Sequence, residues 1–178
     1  IAKGDAINED LKFKQYPVSN YSFSSAINKG KTGIYAIDTA IKEFYKTGYI
    51  HNHLRMYIAS ISCNVCHSHW KIPAKWMYYH LLDADWASNA LNWQWVAGTN
   101  SRKKYIANQN NINKYCFTEQ KNTFLDISYE ELAHIDTPAF LKETFHNKLK
   151  TPLPKQQAID FNTKLPTLIY NFYNLDPN

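Results

Sequence analysis

The 178 residues carry a formal net charge of +5 and are 44% hydrophobic, enough for one domain with a real core. No apolar run approaches the roughly 20 residues that a membrane span needs. Three cysteines, an odd number, argue against a disulfide framework and for a reducing, cytoplasmic setting. The positive charge favours an anionic partner about as much as it favours plain solubility. The 13 Tyr, 9 Phe and 5 Trp supply large contact areas and many stacking surfaces. No signal peptide is visible, and Ile1–Gly4 and Asn174–Asn178 read as cut ends of a longer chain.

Residues 1–33 are polar, with turn formers at Pro17, Gly30 and Gly33; the expectation is a short helix and then an irregular segment. From Ile37 the pattern becomes helical. Ile37, Ala40, Ile41, Phe44 and Tyr45 share a face, and Gly48 ends it. A second helix is predicted from about Ile50 to Trp70, with Leu54, Ile58, Ile61 and Val65 on its apolar side. Pro73 suits the first turn of a third helix over about 73–83. Asp85–Asn89 reads as a turn into a short helix near Trp93. After Gly98 the chain turns polar, with Asn108, Asn110, Asn111 and Asn113 close together. Ser128 with Glu131 forms a capping-box pattern, and Thr137-Pro138 marks another helix start. The last 28 residues hold four of the seven prolines and are expected to be extended. No internal repeat and no strand pattern emerge, so the fold class is all-α.

Two segments concentrate the chemistry. The first is Tyr49-Ile50-His51-Asn52-His53-Leu54-Arg55-Met56, in which Asn52, Arg55 and Met56 share one patch of a helix. The second is Asp83-Ala84-Asp85-Trp86-Ala87-Ser88-Asn89, followed by Trp93-Gln94-Trp95. Together they offer a guanidinium, amides, two carboxylates and indoles, a set that suits a polarised flat ring, a ribose and a stacked base. Arg55 and Asp83 can form a bidentate pair, kept for a ligand or as a structural interhelix bridge. Asp85 can accept from a sugar hydroxyl or cap the following helix, and the two roles are compatible. Asn89 can reach a ring nitrogen or stabilise a turn. Trp93 and Trp95 point about 200° apart on a helix and therefore serve different surfaces. Cys63, Cys66, His67 and His69 have spacing that zinc can use, but a pair of small buried thiols is the better reading, and no metal is assigned.

These two motifs, Gly48-Tyr49-x-His51-Asn52-x-x-Arg55-Met56 and Asp83-x-Asp85-x-Ala87-x-Asn89 with Trp93-Gln94-Trp95, resemble those of the DNA photolyase/cryptochrome family. The likeness runs from Lys31 to Gly98 with hardly a gap. It implies a helical, bundle-like FAD-binding domain whose core spans 34–116, with a lead-in at 1–33 and a helical and extended C-terminal part at 117–178. By that resemblance FAD is the cofactor, held by Asn52, Arg55, Asp83, Ala84, Asp85 and Asn89, with Asn89 facing flavin N5. Trp93 would be the flavin-proximal electron donor and Trp70 the middle one. Asn52, His53, Leu54, Arg55, Met56 and Trp95 would border the cavity for a flipped pyrimidine dimer in UV-damaged DNA.

The implied activity is light-driven dimer repair by one electron from reduced FAD. Asparagine at position 89 leans the reading towards repair. The alternatives are a cryptochrome-like blue-light sensor and a helical module that has lost its cofactor. Several family features have no counterpart here: the segment cradling the FAD diphosphate, the Trp-Arg-Glu-Phe-like helix and the antenna domain. The remainder of the flavin domain is thus expected in a longer chain. No third tryptophan of the electron chain occurs in residues 1–33, where Tyr16 is the nearest candidate. Trp86, Ala90 and Leu91 replace commoner small or aliphatic residues. Ile106-Ala107-Asn108-Gln109 stands where the family has Phe-Asn-Pro, and with Lys103-Lys104-Tyr105 it suggests a divergent branch.

Overall fold

The computed structural model describes residues 4–145, and the expected extended segment at 151–178 lies outside them. In chain order the elements are β1 (Phe23–Ser24), α1 (Ser25–Asn28), α2 (Tyr35–Thr47), α3 (Asn52–Ser60), α4 (Lys71–His80), α5 (Trp86–Ala97), α6 (Gln109–Cys116), α7 (Tyr129–Leu132) and β2 (Thr144–Phe145). Short 3-10 turns occupy Gly4–Asn8 and Ala139–Leu141. Helix α5 packs against both α3 and α4, and α3 also meets α2. The core lies between them, built on Phe44, Tyr57, Ile58, Trp70, Trp76, Met77, Trp93 and Val96.

Helix α2 forms as its periodicity predicts. Ile37, Ile41 and Phe44 are fully buried, and Gly48 closes the helix in the left-handed conformation (φ 67°). Its start is fixed by side chains rather than by a capping residue. Asp38 accepts from Thr32 N and Oγ1, both at 2.7 Å, and Gln120 Oε1 accepts from Tyr35 N at 2.8 Å. A Cβ on Gly48 would lie 2.5 Å from Leu82 Cγ. That close approach lets Leu82 N donate to Gly48 O at 3.0 Å, which lays the 81–85 loop beside the start of α3.

The second helix stops earlier than its apolar pattern suggests. After Ser60 it widens into a π-turn over Ile61–Val65, where Cys66 N donates back to Ile61 O at 2.8 Å. His67 then takes φ +51°, and the chain leaves the helix. Asn20 and Ser19 from the lead-in segment hold the released backbone: Asn20 Nδ2 donates to Cys66 O, Ser19 N to His67 O, and His69 N to Asn20 O. Trp70 therefore sits at the N-terminal boundary of α4, not at the end of α3. Pro73 does occupy the first turn of α4, which ends at His80 rather than near residue 83.

Two further expectations are corrected, and one stretch left without an assignment gains one. The asparagine-rich stretch is a helix, α6, capped by Asn108 Oδ1 accepting from Asn111 N at 3.0 Å and anchored by buried Ile112. Its polar composition hides a single apolar contact point. One antiparallel pair also exists, with Phe23 opposite Phe145 and Ser24 opposite Thr144. Two residues a side are too few to show alternation, and their partners are far apart in sequence. The helix start at Thr137-Pro138 is one 3-10 turn, whereas the Ser128–Glu131 capping box forms as its pattern predicts.

Candidate functional site

The loop after α4 and the first turns of α3 and α5 enclose a cavity of about 340 Å³. Asn52, Arg55, Leu81, Asp83, Asp85, Ser88, Asn89 and Asn92 line it. Local chemistry explains each position. His51 Nδ1 accepts from His53 N, starting α3 so that Asn52 and Arg55 face one way. Arg55 Nε donates to Ile50 O at 2.8 Å, which aims the rest of its guanidinium at the loop. Asp85 caps α5 by accepting from Ser88 N at 2.7 Å. That backbone hydrogen bond holds the Asp85 carboxyl below its ordinary range, so it is ionised at neutral pH. Asn89 Nδ2 donates to Ala74 O of α4 at 2.8 Å. The bond fixes the amide's orientation and leaves Oδ1 and the second amide hydrogen for a ligand.

The expected Arg55–Asp83 pair is present, with a different geometry. One nitrogen, Nη2, stands 3.5 Å from Oδ1, so the contact is single rather than bidentate. The Asp83 side chain is 69% exposed and that of Arg55 22%, so this is a solvated pair at a cavity mouth rather than a buried bridge. Asp83 therefore retains accepting capacity. Ala84 packs on the edge of the core and does not line the cavity.

The group Asn52–Met56 divides between surfaces because α3 turns it around. Asn52 and Arg55 line the cavity, and Met56 Sδ accepts from Asn52 Nδ2 at 3.8 Å. His53 and Leu54 instead line an apolar recess of about 490 Å³ with Tyr35, Tyr115 and Phe117, where His53 stacks on Tyr115 at 4.8 Å. Trp95, 43% exposed, packs against Tyr105 at 5.5 Å. On α5 it follows Ser88 and Asn92 at i+7 and i+3, so it extends the same face one turn past the cavity. Trp93 is one turn beyond Asn89 on the inner side and is buried. Trp70 is fully buried, and its Nε1 donates to Asp10 Oδ1 at 2.7 Å.

Ser88, Asn92 and Leu81 are lining residues that sequence reasoning did not single out. The signal existed for two of them, since Asp85, Ser88 and Asn92 recur at i, i+3 and i+7. Cys63 and Cys66 are buried free thiols. Burial drives both towards the protonated form, Cys66 up to about 12.

A family model for the FAD-binding domain of DNA photolyase matches residues 5–173. The chain belongs to that family. It is 40% identical over 74 residues to a deoxyribodipyrimidine photo-lyase of Agrobacterium fabrum, covering 42% of this chain and 15% of that protein. It is 35% identical over 89 residues to cryptochrome-1 of Arabidopsis thaliana, covering 50% of this chain and 13% of that protein. The crystal structure of the Synechocystis cryptochrome superposes with a TM-score of 0.55 at 26% identity, covering 63% of this chain and 24% of that one. The stretches matched here are thus a small part of these relatives' length.

FAD is the cofactor of this family, and the cavity fits one end of it. Arg55 and the amides of Asn52 and Asn92 can donate to ring carbonyls and nitrogens, while Asp83, Asp85 and Asn89 Oδ1 can accept from N–H groups and sugar hydroxyls. The volume is near the lower end for ligand sites and suits a ring system rather than a whole dinucleotide. Among the lining residues two carboxylates outnumber one cation, so this wall is not a diphosphate cradle.

Proposed function

We propose that this chain forms the ring-binding wall of a flavin site in a protein that repairs pyrimidine dimers in UV-damaged DNA. The observation that carries the reading is the convergence of Arg55, Asp83, Asp85 and Asn89 on one cavity from three separate elements. FAD, when bound, supplies the light-driven one-electron chemistry. Arg55 offers positive charge to the polar edge of the ring, Asp83 and Asp85 orient N–H and hydroxyl groups, and Asn89 Oδ1 takes a ring N–H. Trp93 and Trp70, both buried, are assigned as electron donors. Asn52, Arg55 and Trp95 lie on or beside the cavity face and are assigned to the lesion.

A blue-light sensor with the same cofactor is the second reading, favoured by the cryptochromes among the relatives. Uptake of FAD by the purified chain, read as a visible absorption band that denaturation converts to free FAD, tests the site. Blue-light repair of a dimer-containing oligonucleotide then separates the readings. Flavin photoreduction without repair would establish the sensor. An Asp83→Asn variant with undiminished flavin content would remove the site assignment, whereas a chain that stays colourless with added FAD would mark it as a fragment or as a module that has lost the cofactor.

A further inference from the structure

We propose that the recess at the far end of α5, into which Lys12, Lys14, Arg102 and Lys104 converge, binds a compact oligophosphate, free or carried by a nucleotide. The site goes beyond the flavin reading and does not depend on it, since none of its residues lines the cavity at the start of α5.

The recess measures about 460 Å³ and is lined by four cationic side chains and no carboxylate. Among the described residues none of the four takes part in an ion pair. The nearest carboxylates in the chain are occupied elsewhere. Glu9 pairs with Lys71 at 3.3 Å, and Asp10 accepts from Trp70 Nε1 at 2.7 Å and from Gln15 N at 2.9 Å. Four like charges around one hollow repel one another, and an anion between them turns that repulsion into attraction.

Both stretches of chain that supply the cations are held in place. Lys12 N and Phe13 N donate to Thr99 O at 3.2 and 2.9 Å, which straps the lead-in segment to the loop after α5. Gly98 (φ 85°) and Arg102 (φ 60°) are both left-handed, and Arg102 N donates to Gly98 O at 2.8 Å, so the loop turns back on itself. That conformation is uncommon and strained for an arginine. Its guanidinium Cζ lies 4.4 Å over the centre of the Phe13 ring. A stacked guanidinium keeps its edge N–H groups free for an oxyanion. A Cβ on Gly98 would lie 3.3 Å from Lys104 Cγ, so the glycine leaves room for the lysine stem.

The shape of the cluster selects the ligand. Nucleic acid spreads its charge along an extended backbone and is matched by a groove that tracks it. An oligophosphate gathers several charges in one small volume and is matched by cations on several sides of one recess. The size is that of a small-molecule site. Tyr16, 81% exposed on the rim, offers a ring face to a base. A nucleotide would use that face, and an inorganic oligophosphate would not.

The test titrates the full chain by calorimetry with sodium tripolyphosphate, with ATP and with an unirradiated thymidine decamer, all in magnesium-free buffer. Tripolyphosphate is expected to bind at one site. Its affinity should fall roughly tenfold on Lys14→Gln and on Arg102→Asn, each of which removes a charged donor. Asparagine tolerates the left-handed conformation, so the loop keeps its turn. Lys75→Gln, on the exposed side of α4, should leave the affinity unchanged. Tighter binding of ATP, with the advantage abolished by Tyr16→Ala, supports a nucleotide; equal affinities support the inorganic source. No binding of tripolyphosphate at millimolar concentration overturns the site. So does an affinity indifferent to Lys14→Gln and Arg102→Asn, or one that Lys75→Gln lowers equally. A decamer that binds more tightly and that tripolyphosphate does not displace overturns it in favour of a nucleic-acid backbone. Riboflavin, which has no phosphate, probes the flavin cavity separately, and its failure to bind would count against the flavin reading alone.

Discussion

Along α5, Asp85, Ser88 and Asn92 face the cavity while Ala90, Trp93 and Val96 face the core. The cavity side is held by single, directed bonds: a cap, a backbone carbonyl, a long ion pair. The core side is held by area, with aromatic rings against one another. Directed bonds set geometry with little stability; area sets stability with little geometry. A site built on one face of a helix can therefore be altered without unfolding the other, provided the seam between α2 and the 81–85 loop stays closed.

The sharpest break is on the core side. Trp76 is fully buried, packs on Phe23 at 4.7 Å and donates its Nε1 to Tyr45 Oη at 2.9 Å. Trp76→Ala is expected to cost about 3–5 kcal/mol, read as a lower urea midpoint at unchanged slope. Next comes the seam. Gly48→Ala imposes a left-handed conformation on alanine and drives its methyl into Leu82. The expected loss is about 2 kcal/mol by the same measurement, together with weaker FAD uptake, although Gly48 does not line the cavity.

On the cavity side Asp83→Asn should shift stability by at most about 1 kcal/mol, because the pair is solvated. FAD affinity should nevertheless fall roughly tenfold, read by fluorescence titration. A large stability loss with unchanged affinity would reverse the contrast between the two faces.

The smallest effect is the pH dependence of the α5 cap. The folded state depresses the Asp85 pKa, so its contribution is present above the carboxylate's unfolded value and is lost as pH falls through the folded one. Asp85→Asn keeps a capping acceptor and should flatten that part of the acid unfolding curve. Thiol labelling gives an independent check. Cys116, half-buried, should react in the native state, with Cys63 and Cys66 following only on unfolding.

Helix α2, the Ser128 cap and the Asp85 cap were legible because their signals are local: a 3.6-residue period, a closing glycine, a cap at fixed spacing. The cavity's polar set was legible through motif resemblance, and the composition alone left each residue with a structural alternative. What the sequence hid depends on distant partners. The π-turn at Ile61–Val65 needs Asn20 to hold the backbone it releases, and the β1–β2 pair joins residues near opposite ends of the described chain. The division of Asn52–Met56 between two surfaces follows from helix geometry, but which surface holds the cavity is set by where the 81–85 loop lands. Asp10 gives no sign in the sequence of its bond to Trp70.

The hydrogen bond from Leu82 to Gly48 joins the two walls of the cavity, which otherwise come from separate stretches of chain. A ligand spanning Arg55 and Asp85 acts as a splint across that join. Its binding energy then adds to the work of opening the fold, so occupancy can be read as heat resistance. At a hundredfold excess over the dissociation constant the gain is about 2.7 kcal/mol. A loosened join would weaken the ligand from a distance, and the melting temperature would report both events on one scale.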